Sequence, residues 1–284
     1  MSRIVLGNRD GSLAIQQART VLHALSEEWT NLHFTLRTIS EQSLASSANL
    51  IAAVQSGTIT GALVPAETLD SPLPDDVIVC STPRRAESRS ALVAKGNARS
   101  LADLPEGVRI AVSTERDAIF ARTQLPHANV SLLSEGVSAQ LRALAHDEID
   151  ALIAPAARLA ALDQRARIDA LLDPEVYPPA AGQGALALIV QADDDMAFDT
   201  LNTISHRPSL IRLQAELAFR HGLTIDGVGA FSSVSDDGDL SLTGTVIVGA
   251  MTLQGVITGD AREARQLGRE LAEDMNEQLG QLDD

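Results

Sequence analysis

Lysine is almost missing from this chain. Lys95 is the only one among 22 basic residues, which face 38 acidic ones, so the 284 residues carry a formal net charge of −16. A surface of that sign repels phosphate backbones and speaks against nucleic-acid binding; it also speaks against any polyanionic ligand unless arginines converge locally. Cysteine is equally scarce. Cys80 stands alone, which excludes an internal disulfide, a paired-thiol redox centre and a zinc site built on several thiolates, and fits a reducing compartment. No apolar run approaches the ~18 residues of a membrane span, and Ile4-Val5-Leu6 is too short for the apolar part of a signal peptide. A cytoplasmic protein without membrane association is expected. Aromatics are limited to one tryptophan, one tyrosine and five phenylalanines, yet 45% of residues are hydrophobic, enough to fill ordinary cores. At roughly 100–200 residues per domain, the length predicts two or three domains.

The first ninety residues alternate short apolar runs with amphipathic stretches. Residues 3–7 read as a buried strand, and Leu13, Ala14, Ala18, Val21, Leu22 and Leu25 recur at helical spacing. Residues 32–37 alternate with period two, a helix containing Leu50, Ala53 and Val54 ends at Gly57, and 59–64 returns as a strand. Such a βαβαβ order predicts a mostly parallel sheet covered by helices. A second unit of the same kind spans about 92–181, with strands expected over 108–112, 130–133 and 150–154 and helices between and after them. Two such halves suggest a cleft. The apolar run 185–190 reads as a fully buried strand that returns to one of the sheets. From about Pro208 the pattern changes to a helix over 210–221, a long strand over 240–248, its hairpin partner over 251–257 and a final helix over 261–279, a small α+β domain.

Candidate chemistry is sparse. Gly182-Gln183-Gly184 either lets backbone approach a ligand or is simply a loop. Gly7-Asn8-Arg9-Asp10-Gly11 ends a strand before a helix, where backbone N–H groups and an arginine can hold a carboxylate. Ser113-Thr114-Glu115-Arg116-Asp117 occupies the equivalent place in the second unit and either binds an anion or caps the helix. The six histidines show no metal spacing, Cys80 follows Val77-Ile78-Val79 as a buried strand residue, and no GxSxG, P-loop or HExxH pattern is present.

Taken in order, the segments resemble the porphobilinogen deaminase (hydroxymethylbilane synthase) family from end to end. The resemblance rests on Gly7-Asn8-Arg9 with Leu13-Ala14, on Leu73-Pro74, and on Arg89-Ser90-Ala91-Leu92 leading to Leu101-Ala102-Asp103-Leu104-Pro105. It continues in Pro179-Ala180-Ala181-Gly182-Gln183-Gly184-Ala185-Leu186, in Glu216 with Phe219, in Val228-Gly229-Ala230-Phe231 and in Leu240-Ser241-Leu242-Thr243-Gly244. It implies an α/β fold with two periplasmic-binding-protein type II-like βαβ domains around a cleft plus a small C-terminal α+β domain. The boundaries expected are 1–87 plus 184–206, then 88–183, then 207–284. In the family a cysteine of the third domain forms a thioether to a dipyrromethane cofactor. A cleft aspartate catalyses deamination and condensation of four porphobilinogens, and arginines hold the acetate and propionate groups. The resemblance also implies a monomer.

This sequence departs from that pattern at the chemistry. The segment 220–226, which should carry the cofactor cysteine, is shortened and has none, Thr224 standing at the position. No dipyrromethane cofactor is therefore expected. Counted back from Leu73-Pro74, the family's lysine–aspartate pair falls on Glu67 and Thr68, with Glu67 and Asp70 as nearby substitute carboxylates. Arg116 keeps its place, but its arginine neighbour is Asp117, and two further arginines fall on Ser134 and Gln140. The loop after Thr38 is shortened. The ligand-binding residues expected to remain are Arg9, Ser113, Thr114, Arg116, Gly182 and Gln183, facing a small carboxylate or pyrrole; tetrapyrrole-pathway enzymes are the partners the resemblance suggests. The expectation is a member of the family with lost or altered catalysis, or a non-catalytic carboxylate-binding protein on the same fold.

Overall fold

The computed structural model describes residues 3–43, 46–69, 71–96 and 98–281. The chain begins with β1 (Arg3–Arg9), α1 (Ser12–Glu28), β2 (His33–Ile39), α2 (Ala48–Gln55), β3 (Gly61–Pro65) and β4 (Val77–Ser81). It continues through β5 (Ser90–Ala94), β6 (Arg109–Val112), α3 (Glu115–Gln124), β7 (Asn129–Leu132), α4 (Val137–Ala145), β8 (Ala151–Pro155), α5 (Ala156–Ala161) and β9 (Ala170–Leu171). The last part holds β10 (Leu186–Gln191), α6 (Asp195–Asn202), α7 (Arg207–His221), β11 (Val228–Val234), β12 (Asp239–Val248), β13 (Met251–Asp260) and α8 (Ala264–Gly280). Two compact units result, Met1–Ala86 with Ala185–Leu213, and Glu87–Gly184 with Gln214–Asp284.

In the first unit the sheet order is β2-β1-β3-β10-β4. β1 lies parallel to β2 and β3, while β10 runs antiparallel between β3 and β4. Central placement explains the unbroken apolar run of β10: Ala187 to Val190 are fully buried, and a strand covered on both faces has no reason to alternate. Helix α1 buries Ala18, Val21 and Leu25, three to four residues apart as one helical face requires, in a core with Ile4, Leu6, Leu188, Val190 and Leu201.

The second unit repeats the arrangement in the order β7-β6-β8-β5-β9. β6 is parallel to β7 and β8, and β5 is antiparallel to β8 and β9. Both sheets thus read second, first, third, then an antiparallel strand supplied by a crossover: β10 for the first and β5 for the second. Two α/β sheets of one topology plus an antiparallel α+β part are the fold class expected, the α+β part belonging to the second unit. Four elements were not read from the sequence as strands or helices: β5, β9, β11 and α6.

The third sheet, β11-β12-β13, is wholly antiparallel. Fully buried Phe219 of α7 lies against Gly244 of β12, and Leu267 and Leu271 of α8 lie against Gly259 and Gly255 of β13. Helix α8 begins at Ala264 rather than Ala261 because Ala261–Glu263 forms a 3-10 turn capped by the Asp260 carboxylate, which accepts from the Arg262 N–H. A Cβ at Gly244 would lie 2.3 Å from Phe219 Cζ, and a buried ring cannot yield that space cheaply. Gly244→Ala is therefore expected to lower unfolding free energy by about 1–3 kcal/mol, read as a reduced urea midpoint; an unchanged midpoint contradicts this packing.

Candidate ligand-binding site

The two anion-capable turns lie in separate units and are described separately. In the second unit, Val112 ends β6 and Thr114 caps α3, its hydroxyl oxygen accepting from the Asp117 N–H at 3.1 Å. The same hydroxyl donates to Asp117 Oδ2 at 2.8 Å. Of the two readings open for this turn, capping accounts for Thr114. Ser113 is engaged as well: its Oγ accepts from Gln140 Nε2 at 3.0 Å, and Gln140 is fully buried in α4.

Arg116 is committed within the unit on every nitrogen. Its Nε donates to the Val228 carbonyl at 2.8 Å, Nη1 to Asp117 Oδ1 at 2.7 Å, and Nη2 to the Pro178 carbonyl. The guanidinium carbon lies 4.2 Å above the Phe120 ring, a favourable cation–π contact. Beneath it, buried Tyr177 donates to the Asp117 backbone carbonyl at 3.1 Å. Burial, reinforced by the Asp117 carboxylate, holds the Tyr177 phenol well above its usual pKa, so it stays a neutral donor.

The 178–184 loop is held from three sides. Arg116 holds Pro178, and the Ala230 N–H of β11 donates to the Pro179 carbonyl at 2.9 Å. The Gly182 N–H donates to Glu216 Oε2 at 2.8 Å, while Glu216 Oε1 accepts from Ser232 Oγ at 2.6 Å. Gly182 and Gly184 adopt φ of 76° and 78°, conformations that disfavour a Cβ. Gln183, 2% exposed, donates through Nε2 to the Ser88 carbonyl at 2.7 Å and to Ser90 Oγ at 3.2 Å. Glu216 was visible in the sequence only as part of a motif; its use as a buried acceptor for two elements was not.

In the first unit, buried Arg9 closes β1 and donates through Nη2 to the carbonyls of Ser43 and Ser46. Glu41, not singled out from the sequence, places its two carboxylate oxygens on the Asn49 and Leu50 N–H groups at 3.1 and 2.8 Å. It thereby fills the start of α2, where a helix is most receptive to an anion. Thr68, 7% exposed, donates to the Pro65 carbonyl at 2.7 Å and meets Ser47 Oγ at 2.5 Å. Because its proton goes to Pro65, the Ser47 hydroxyl is the donor of that pair. Glu67 is half-buried; Asp70 lies outside the described residues. Among the described residues no group of three or more His, Cys, Asp or Glu could hold a metal, and no helix is long and apolar enough to cross a membrane.

A duplicated α/β architecture with a third antiparallel sheet, and a glycine loop pinned by a buried glutamate, defines the class to which the comparisons with known proteins speak. Residues 4–199 match the family profile described as "Porphobilinogen deaminase, dipyromethane cofactor binding domain". The chain is 35% identical to the porphobilinogen deaminase of Thermus thermophilus, over 99% of this chain and 97% of that one, and 33% identical to that of Deinococcus radiodurans, over 98% and 96%. Among solved structures, a TRAP periplasmic solute binding protein from Escherichia fergusonii is similar with a TM-score of 0.49 and 11% identity, over 76% of this chain and 83% of that one. The chain belongs to the porphobilinogen deaminase family of tetrapyrrole biosynthesis.

One expectation is corrected by this result. The cysteine-free segment 220–226 implies no cofactor, but residues 4–199 match the profile of the dipyrromethane cofactor-binding domain, which overturns that expectation. What does not fit is the covalent arm. Thr224 is exposed and is not a thiol. The only thiol, Cys80, is 2% exposed in β4, donates to the Leu188 carbonyl at 3.3 Å, and has its pKa pushed by burial up to about 12. At pH 8 roughly one Cys80 in 10⁴ is then a thiolate, the nucleophilic form. Native protein is expected to resist iodoacetamide at pH 8 and to alkylate once unfolded in urea; rapid labelling of the native chain contradicts this burial.

The Arg116–Asp117 pair also makes a prediction. Both side chains are about nine-tenths buried, so Arg116→Leu leaves Asp117 without its cation and frees two backbone carbonyls. A loss on the order of 3 kcal/mol is expected in urea unfolding; a loss below about 0.5 kcal/mol, the usual surface value, contradicts the structural role.

Proposed function

We propose that this protein keeps the porphobilinogen deaminase fold, and a place in cytoplasmic tetrapyrrole synthesis, while the family's standard condensation of four porphobilinogens is lost or strongly altered. The observation that carries this reading is Thr68, which stands where the family resemblance puts the catalytic aspartate: its buried hydroxyl donates to the Pro65 carbonyl and accepts from the Ser47 hydroxyl. A neutral hydroxyl with its proton already donated cannot protonate a leaving amine, nor offset the positive charge of a pyrrole intermediate.

Charge at the binding positions supports the same reading. Porphobilinogen carries carboxylates, yet the position of one expected arginine is Gln140, whose amide donates to Ser113, and Arg116 is neutralised by Asp117. Replacing cations by neutral groups removes charge-assisted bonds of the strongest kind. We infer that a dipyrromethane or other small pyrrole carboxylate is held reversibly rather than through a thioether.

The test is consumption of porphobilinogen, followed with acidic aldehyde reagent beside the Thermus thermophilus relative. Loss of a general acid alone predicts a rate lower by roughly 10²–10⁴-fold. Thr68→Asp is expected not to restore turnover while Ser134 and Gln140 remain. Turnover matching the relative's would overturn the proposal.

A further inference from the structure

The third sheet ends in an edge that nothing in the described chain pairs. β13 is ten residues long and is matched to β12 along its whole length, from Asp239↔Asp260 to Val248↔Met251, without a bulge. In the order β11-β12-β13 its other side has no neighbour. Its sequence, MTLQGVITGD, has no proline, no lysine and no charge before Asp260; these are the devices by which proteins usually blunt an edge strand. Val256, at its centre, is 63% exposed.

Helix α8 gives this edge a sign. Its Leu267 and Leu271 rest on β13, whereas Gly268 and Ala272 face α7, at the Ala215 carbonyl and Gly222. α7 itself covers β12, through Phe219 on Gly244, and β11, through Glu216 and Ser232. The flank of α8 away from α7 therefore lies above the open side of β13. With about 100° between successive residues, that flank holds Glu270, Asp274 and Glu277, all exposed, while Arg265 and Arg269 fall on the α7 side. Glu270 and Asp274 accept from the neutral side chains of Gln266 and Gln278, at 2.9 and 3.0 Å, and Arg269 donates to Gln266 Oε1 at 3.0 Å, approaching Glu270 through that amide rather than bonding it directly.

We propose that the open edge of β13, flanked by Glu270, Asp274 and Glu277 of α8, docks an extended arginine- or lysine-rich segment of a partner protein as a fourth strand. Main-chain hydrogen bonds supply the affinity of such strand addition, and side chains on one face supply its selectivity. A second copy of this chain is disfavoured. Pairing two β13 strands at ~4.8 Å with their helices on one side would set the two acidic flanks against each other at helix-packing distance, about 8–10 Å between axes.

The test uses the full chain and a labelled ten-residue peptide of alternating arginine and threonine, with a glutamate–threonine peptide as control. Fluorescence anisotropy is expected to show binding of the basic peptide only, weakened at least about tenfold by the double variant Glu270→Arg/Asp274→Arg. Arg265→Glu, on the other flank, should leave it within about twofold, because an exposed charge across the helix is screened by water and salt. Hydrogen exchange should show slowed amides within 251–260 when the basic peptide is bound, and matched melting midpoints establish that the variants fold. No binding of the basic peptide, equal binding to the Glu270→Arg/Asp274→Arg variant, or protection confined to other segments would overturn the proposal. So would a concentration-dependent dimer whose β13 amides are protected without peptide.

Discussion

The guanidinium of Arg116 is the tie on which the second unit depends. It joins three parts of the chain far apart in sequence: α3, through Asp117 and the Phe120 ring, the glycine loop, through Pro178, and the third sheet, through Val228. Each acceptor is a group that burial would otherwise leave costly, and one planar side chain with five donors can satisfy all of them at once. Glu216 does the same with the opposite charge, accepting from Gly182 and Ser232. Between them the 178–184 loop is set against both the α3 turn and β11.

That use of charge for structure has a functional side. A ligand bearing several carboxylates needs cations with open donors, and in these two clusters the donors are directed inward: Arg116 to carbonyls and Asp117, Gln140 to Ser113, Arg9 to loop carbonyls, with Glu41 already at the start of α2. Most buried polar groups in folded proteins find a partner. In the first unit the buried hydroxyls of Ser47 and Thr68 bond each other, and Thr68 donates to the Pro65 carbonyl. At β13 the net charge of −16 accompanies an unguarded sheet edge.

Much of the fold was legible in the sequence because hydrophobic period reports burial directly. β2, α1 and the central β10 follow from alternation, helical spacing and an unbroken apolar run respectively, and β1 from its short apolar run. β5 escaped because SALVA, buried at four of its five positions, has no period to read, and β11 because Gly229, Ser232 and Ser233 dilute its apolar signal. β9 has two residues, and α6, short and acidic, is announced only by its Asp194 cap. The site was legible by residue type but not by partnership. Thr114 as a cap could be read from its place before a helix, since its partner is three residues away. That Arg116 reaches Val228, or that Glu216 holds Gly182, depends on long-range folding that no local spacing encodes. The expectation of no cofactor does not hold, because a missing thiol in 220–226 bears only on the covalent link, whereas residues 4–199 match a cofactor-binding domain profile.

The central claim is that this chain handles pyrrole carboxylates without a covalent tether. It is tested most directly by the intact mass of the protein, purified after exposure to porphobilinogen and measured under denaturing conditions that strip reversible ligands. The account predicts the 30.0 kDa of the sequence itself. A mass greater by two pyrrole units would contradict it.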